Sequence, residues 1–123
     1  MSMNAYQTYK KTQVSTASQG ELIVMLFDGA IRFTNQAKDF IEAQDFANAN
    51  EKIVRTENII SELISSLDME VGEMAQNLYQ LYTFVYEHLV QANIKKDPSL
   101  LDEVLGLLMD LRDTWRQVVN VKQ

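Results

Sequence analysis

His88 is the residue of this sequence whose chemistry most readily suggests catalysis, and it is the single histidine. A Ser-His-Asp triad would have to use it, but no glycine-flanked nucleophile elbow accompanies it. A di-iron bundle needs paired Glu-x-x-His motifs, whereas Val85 stands three residues before His88 and there is no second histidine. The sequence also lacks cysteine, a P-loop and a G-x-G-x-x-G motif. We therefore predict no catalytic residues, no metal, no cofactor and no enzymatic activity.

One enzymatic alternative uses the same histidine as a phosphoryl acceptor. Histidine phosphotransfer domains are helical bundles of similar size with one exposed histidine on a helix. They place small residues, a lysine and a glycine just after that histidine, whereas here the run from 89 to 93 reads LVQAN. Phosphotransfer through His88 stays open at this point, beside the plainer interpretation that His88 is a surface or rim side chain.

The charge and hydropathy of the chain argue against several partners. The formal net charge is −6, and no base follows Lys10 and Lys11 until Arg32, so no basic stripe is present that could contact phosphates. Nucleic-acid binding is therefore disfavoured. The N-terminus has no apolar signal-peptide region, and the longest fully apolar run, 22–27, is far too short to span a membrane. We expect a cytoplasmic protein with no integral membrane segment.

Four amphipathic segments predict an all-α fold. Ser18 followed by Glu21 has the spacing of a helix-capping box, Asp45 is a suitable N-cap, and Asp97 followed by Pro98 is a strong helix start. Short connections between segments of matched length predict an antiparallel up-down-up-down four-helix bundle over residues 18–123. Residues 1–17 are polar and lack a helical period, which predicts a flexible N-terminal arm.

Apolar residues spaced by three and four positions mark the side of each segment that should face the core. Thr56 is the polar exception in the second of these seams. The predicted seams comprise Ile23, Leu26, Ala30, Phe33, Ala37 and Phe40 in the first segment; Phe46, Ala49, Ile53, Thr56, Ile60, Leu63 and Leu67 in the second; Ala75, Leu78, Tyr82, Val85, Leu89 and Ala92 in the third; and Leu101, Val104, Leu108, Leu111, Trp115 and Val118 in the fourth.

The segments carry more apolar residues than their seams require, as Leu22, Val24, Met25 and Ile31 show in the first segment. A wide core would accommodate any one of these residues. Together they favour an exposed groove that binds an amphipathic partner helix. The candidate binding residues are Ile59 and Ile64 beside the second seam, Leu81 and Phe84 on a second stripe with His88, and Leu107 on the fourth segment.

The N-terminal arm carries Tyr6 and Tyr9, whose rings combine apolar area with a polar tip. Such an arm could fold over the groove when the partner is absent. It could equally be a disordered tail with two incidental tyrosines, and the residues alone do not separate the two interpretations.

Four stretches resemble a known family: SQGELIVMLFDGAI at 18–31, SSLDMEVGEMA at 65–75, LYQLYTFV at 78–85, and LLMDLRDTW ending at Trp115. They are similar to the flagellar secretion chaperone family FliS, and the resemblance covers nearly the whole chain. The chain departs from the family pattern at Gln19, where a proline is usual, at Phe27, where a tyrosine is common, and at Val71, where a glycine is frequent.

The resemblance implies a chaperone that binds the C-terminal region of newly made flagellin in the cytoplasm. It would keep flagellin from polymerising and present it to the flagellar export apparatus. The resemblance also implies that the arm covers part of the client surface until it is displaced, a role carried over to Tyr6 and Tyr9. The client-free chain could form a homodimer through its open groove. A helix-binding adaptor with another client and a phosphotransfer protein remain the alternatives.

Gly29 and Gly106 lie inside predicted helices, where glycine costs about 1 kcal/mol relative to alanine. This cost predicts that a neighbouring helix, or a client helix, approaches closely at both positions. Asp28 could be a buried anchor or a solvated surface charge.

Overall fold

A computed structural model describes residues 19–122 of the chain, and within that range every regular element of secondary structure is helical. The helices are α1 (Gln19–Glu42), α2 (Phe46–Ser65), α3 (Glu73–Lys95) and α4 (Pro98–Lys122), with a short 3-10 turn at Met69–Val71 between α2 and α3. The prediction of an all-α four-helix bundle is confirmed. The predicted arm and the capping residue Ser18 lie outside the described residues.

Side-chain contacts fix the directions of the helices. Asp28, near the start of α1, contacts Arg112, near the end of α4, at 3.5 Å, whereas Lys38 contacts Asp102, near the start of α4, at 2.8 Å. The helices α1 and α4 are therefore antiparallel. The same inverse order appears in the pairs Gly29–Ile59 and Thr34–Thr56 between α1 and α2, Asn50–Asn93 between α2 and α3, and Tyr82–Trp115 and His88–Glu103 between α3 and α4.

The predicted helix starts at Asp45 and Asp97 are confirmed by hydrogen bonds at both sites. A carboxylate oxygen of Asp45 accepts from the backbone N–H of Asn48 at 3.3 Å. Asp97 Oδ1 accepts from the hydroxyl of Ser99 at 2.7 Å and from its N–H at 2.9 Å. The Ser99 hydroxyl in particular holds the pKa of the Asp97 carboxyl below its usual value. Local sequence chemistry therefore accounts for where α2 and α4 begin.

Gly72 ends the 3-10 turn and precedes α3 with φ of 108°. L-residues with a side chain rarely adopt this backbone conformation, so glycine is required there for conformational reasons. The break in helical pattern that the sequence shows around residue 72 is thus a fixed turn that sends the chain back along the bundle.

The core side of α1 differs from the seam predicted for it. Ala30 and Ala37 are buried as expected, but Phe33 and Phe40 remain partly exposed. The helix packs against both α2 and α4, so its core face is wide and is centred about one position from the predicted seam. The residues of α1 that are buried are Phe27, Ala30, Ile31, Thr34, Ala37 and Ile41.

The seams of the other helices follow the prediction more closely, with deviations at the ends of the bundle. Phe46, the first residue of α2, is 48% exposed, and Val118 in the last turns of α4 is 36% exposed. Both lie where fewer neighbouring helices cover the surface, so their place in the seam does not lead to burial. The central residues of these seams are buried, Leu111 among them.

Two threonines lie in the core without disturbing it. The hydroxyl of Thr34 donates to the carbonyl of Ala30 at 2.7 Å, and that of Thr56 donates to the carbonyl of Lys52 at 3.1 Å. Each polar group is satisfied within its own helix. This explains how Thr56 can occupy a seam position that is otherwise apolar.

The predicted close approach of a neighbouring helix is confirmed at Gly29 and is absent at Gly106. A Cβ atom on Gly29 would lie 3.6 Å from Ile59 Cδ1, an ordinary van der Waals contact with α2. At Gly106 the prediction of a neighbouring helix is wrong, because a Cβ atom there would meet nothing within 4 Å. The position faces solvent on the outer side of α4.

Gly106→Ala is therefore expected to stabilise the bundle by roughly 0.5–1 kcal/mol, since alanine has the higher helix propensity and meets no obstacle. Chemical denaturation of both proteins measures the difference. Gly72→Ala is the matched control and should destabilise, because its positive φ opposes any side chain. A loss of stability in Gly106→Ala would mean that α4 is not regular at this position.

Candidate polypeptide-binding groove

An open groove of about 720 Å³ lies at one end of the bundle. It is formed where the start of α1, the end of α2, the start of α3 and the later part of α4 come together with the 3-10 turn. Most of its surface is apolar. The lining residues are Gln19, Leu22, Ile23, Met25, Leu26, Glu62, Leu63, Ser66, Leu67, Asp68, Val71, Met74, Ala75, Leu78, Tyr82 and Trp115.

The floor of the groove is rigid and belongs to the core. Leu63, Ala75 and Tyr82 are buried there, and Trp115 Nε1–H donates to the Tyr82 hydroxyl at 3.2 Å. The ring of Tyr82 also lies 6.0 Å from that of Phe27, between their centroids, at a tilt of 60°. The aromatic floor is therefore held by contacts that do not depend on an occupant.

The rim of the groove consists of large apolar side chains that water can reach. Met25 is 61% exposed, Val71 is 67% exposed and Met74 is 69% exposed. Contiguous apolar surface of this kind is unfavourable in water and usually marks an interaction site. Methionine side chains adapt readily to irregular apolar partners. The groove can therefore accept apolar side chains of different shapes from a partner.

The polar part of the lining is acidic. Glu62 and Asp68 supply carboxylates at the edge, and Gln19 and Ser66 supply neutral polar groups. Such a lining suits an amphipathic polypeptide and offers nothing that recognises phosphate. Within the described range no group of three or more histidine, aspartate or glutamate side chains could hold a metal ion.

Burial in the floor raises the pKa of the Tyr82 phenol above its usual value, and the hydrogen bond from Trp115 opposes that rise only in part. The fold thus favours the neutral phenol. In the unfolded chain the phenol ionises near pH 10, so the stabilisation is complete below that pH and is lost as the pH rises through the folded pKa.

We expect the free energy of unfolding to fall between about pH 10 and higher pH, and to fall less in Tyr82→Phe. Urea denaturation of both proteins across this range gives the comparison. The hydrogen bond to Asp102 raises the pKa of Lys38, so deprotonation of Lys38 also lowers the free energy of unfolding as the pH rises. This contribution is present in both proteins. Identical pH profiles for the two proteins would rule out a contribution from Tyr82.

Those of the binding residues predicted from sequence that the structure describes do not line this groove. Ile59, Ile64, Leu81 and Leu107 are partly buried and pack against the core. Phe84 is the most accessible of the set at 51% exposed, and it lies on α3 outside the groove. Tyr6 and Tyr9 lie outside the described residues. The contact of these residues with a client stays a prediction.

Two of the groove residues are among those that the sequence shows to be surplus to the predicted seams. Leu22 and Met25 are among the surplus apolar residues of the first segment, and the structure places both in the lining. Val71 and Met74 had no comparable signal, because they flank the turn where the helical period is interrupted.

His88 lies away from the groove and is engaged on two sides. Its Nε2 is 2.5 Å from a carboxylate oxygen of Glu103, and the Phe84 ring stacks on it with centroids 5.3 Å apart. These contacts hold the ring against α4 and occupy one of its two nitrogens. They agree with a rim side chain on α3.

Asp28 is a partly exposed ion-pair residue rather than a buried anchor. It lies 3.5 Å from Arg112 Nη1 and 3.7 Å from Arg116 Nη2 on α4. Pairs of this exposure each contribute little to stability, so Asp28 helps align α1 and α4 without holding them together.

The fold and the groove together define a four-helix-bundle protein with an open apolar groove at one end. Comparison with known proteins makes this specific: the chain belongs to the FliS family of flagellar proteins, whose family model matches residues 2–122. No helix of the described part of the chain combines the length and the apolar character that crossing a bilayer requires.

Curated relatives and a solved structure agree with this assignment. The chain is 39% identical over 117 residues to the flagellar secretion chaperone FliS of Bacillus subtilis, covering 95% of this chain and 87% of the relative. It is 38% identical over 114 residues to FliS of Salmonella typhimurium, covering 91% and 84%. A crystal structure of a bacterial flagellar chaperone superposes with a TM-score of 0.79 over 98% of both chains at 17% identity, which supports the fold.

Proposed function

We propose that this chain is a cytoplasmic flagellar export chaperone that binds the C-terminal region of flagellin, prevents its premature polymerisation and aids its secretion. It catalyses no reaction. The observation that carries the proposal is the open apolar groove, rimmed by Met25, Val71 and Met74, in a chain that belongs to the FliS family.

The groove suits one face of an amphipathic helix. Its volume of about 720 Å³ is enough for several apolar side chains, which a helix presents at positions i, i+3, i+4 and i+7. A client segment that is unfolded when free would pay an ordering cost on binding, so the complex could be held and still released. Reversible binding is what export of the client through the flagellar export apparatus requires.

The client surface could extend beyond the groove along the helices. Phe84 offers an exposed ring on α3, and Ile59, Ile64, Leu81 and Leu107 present their accessible edges elsewhere on the bundle. Together with the groove they would allow a long segment to wrap around the chaperone, as disordered clients do. Phe84 is the strongest of these candidates because it is the most exposed.

The N-terminal arm has a role in the same proposal. Gln19, where the described chain begins, lines the groove, so the residues before it start at the groove itself. Tyr6 and Tyr9 would cover apolar surface there until a client displaces them. The exposed groove could also pair two client-free copies, and a client would separate them.

Fluorescence of Trp115 gives a direct test, because it is the single tryptophan and lines the groove. We expect a saturable change on titration with a tryptophan-free peptide of the C-terminal region of flagellin, and no change with a scrambled peptide. Calorimetry of the same titration should show a negative heat-capacity change, the mark of apolar burial. Absence of both signals with folded protein would overturn the proposal.

A further inference from the structure

The methionines of the described chain are distributed unevenly. None lies in the buried core, which consists of other apolar residues. Met25 and Met74 line the groove at 61% and 69% exposure, and Met69 at 45% exposure stands in the 3-10 turn between two groove residues. Met109, 40% exposed on α4, is the one described methionine away from this end of the bundle. The buried core of the described chain is thus free of methionine sulfur, whereas the groove is lined by it.

We propose that Met25 and Met74 form a redox-sensitive modification site, whose oxidation by hydrogen peroxide to methionine sulfoxide reversibly weakens client binding. The proposal rests on the function proposed above. Each thioether sulfur attacks one peroxide oxygen and gives up two electrons; the O–O bond breaks, an S=O bond forms and water leaves. Sulfoxide reductases specific for the two epimers restore the thioether, so the change is reversible.

The apolar surroundings of the groove make this small chemical change costly for the binding of a client. A thioether is apolar and adapts to an apolar client, whereas a sulfoxide is polar and must be desolvated when the client docks. The neighbouring groups offer it little compensation. Glu62 and Asp68 only accept hydrogen bonds when ionised, and the Ser66 hydroxyl already donates to the Leu63 carbonyl at 2.9 Å. Among these rim groups, that leaves the Gln19 side-chain amide as the donor for two sulfoxide oxygens. A sulfoxide oxygen at the rim would therefore oppose docking.

Treatment of the purified full chain with hydrogen peroxide, followed by its removal, tests the proposal by titration with the flagellin C-terminal peptide. We expect the dissociation constant of the wild-type protein to rise about tenfold, as an uncompensated buried polar group would cause. Peptide mass mapping should find the sulfoxide at Met25 and Met74. Sulfoxide reductases with a thiol reductant should then restore the original affinity.

Two variants separate the groove from the rest of the chain. In the double variant Met25→Leu/Met74→Leu, peroxide should leave the affinity as it was before treatment, and in Met109→Leu the loss should match that of the wild type. Each protein is compared with its own untreated form, so a change in starting affinity cancels. The thermal melt should be unaltered by treatment.

Three outcomes overturn the proposal: an unchanged wild-type affinity despite sulfoxide at both positions, an equal loss in the double variant, or a loss explained by unfolding. Failure of the untreated wild-type protein to bind would instead overturn the proposed function. The two failures are therefore distinguishable in a single experiment.

Discussion

Leu111→Asp should abolish the cooperative thermal unfolding of the bundle. Leu111 is 6% exposed and packs in the main hydrophobic cluster, so the new carboxylate would be buried without a partner. An unpaired buried charge costs about 3–5 kcal/mol and the lost leucine packing about 2–5 kcal/mol more, which together are comparable with the roughly 5–15 kcal/mol by which such a domain is stable. Far-ultraviolet circular dichroism during heating measures the transition. We expect a sloping, non-cooperative signal.

Phe84→Asp is the matched control for this prediction. The same charge enters α3 at a side chain that is 51% exposed, where water continues to solvate it. Helical content and a cooperative melt should be retained, while the binding of the client weakens if Phe84 belongs to the client surface. A cooperative melt of Leu111→Asp close to that of the wild type would remove Leu111 from the core.

Met25→Glu should have the largest effect on client binding of any single change that preserves the fold. The residue is 61% exposed, so a glutamate there is solvated in the free protein. On docking it would be desolvated against an apolar client, beside Glu62 and Asp68 of the same lining. Loss of an apolar contact of about 2 kcal/mol corresponds to about thirtyfold weaker binding. Isothermal titration calorimetry with the client peptide measures the change in dissociation constant.

Met109→Glu carries the same substitution outside the groove, at a residue 40% exposed on α4. The affinity of the Met109→Glu protein for the client should stay within about threefold of the wild type, since the surface of the groove is unaltered. Equal losses in both variants would indicate a general electrostatic effect of the added charge. Normal binding by Met25→Glu would place the client elsewhere on the bundle.

The fold could be predicted from sequence because its determinants are local. Asp45 and Asp97 make their capping bonds with residues two or three positions away, and helical periodicity identifies the seams of α2, α3 and α4. The register of α1 was harder to predict. Phe27 and Phe33 both fit the apolar spacing of this helix, and only packing against two neighbours decides that Phe27 is the buried one.

The groove could not be predicted in the same way because all four helices and the 3-10 turn contribute to it. Leu22 and Met25 were recognisable as surplus apolar residues, but their meeting with Met74 and Trp115 depends on how the helices and the turn are arranged at one end. Spacing along one helix also cannot distinguish a side chain that packs against the core from one that is exposed to solvent. Ile59 and Phe84 both lie off their seams, yet Ile59 packs against the core and Phe84 does not.

The packing of α1 against α4 has a consequence for synthesis of the protein. These two helices are the farthest apart in sequence, yet they contact one another through pairs such as Asp28–Arg112 and Lys38–Asp102. Closure of the ring of helices therefore brings together a helix that is synthesised early and one that is synthesised late, which makes it a late and entropically costly step. Because Met25 and Trp115 both line the groove, the groove is incomplete in a nascent chain until α4 has been translated and has docked.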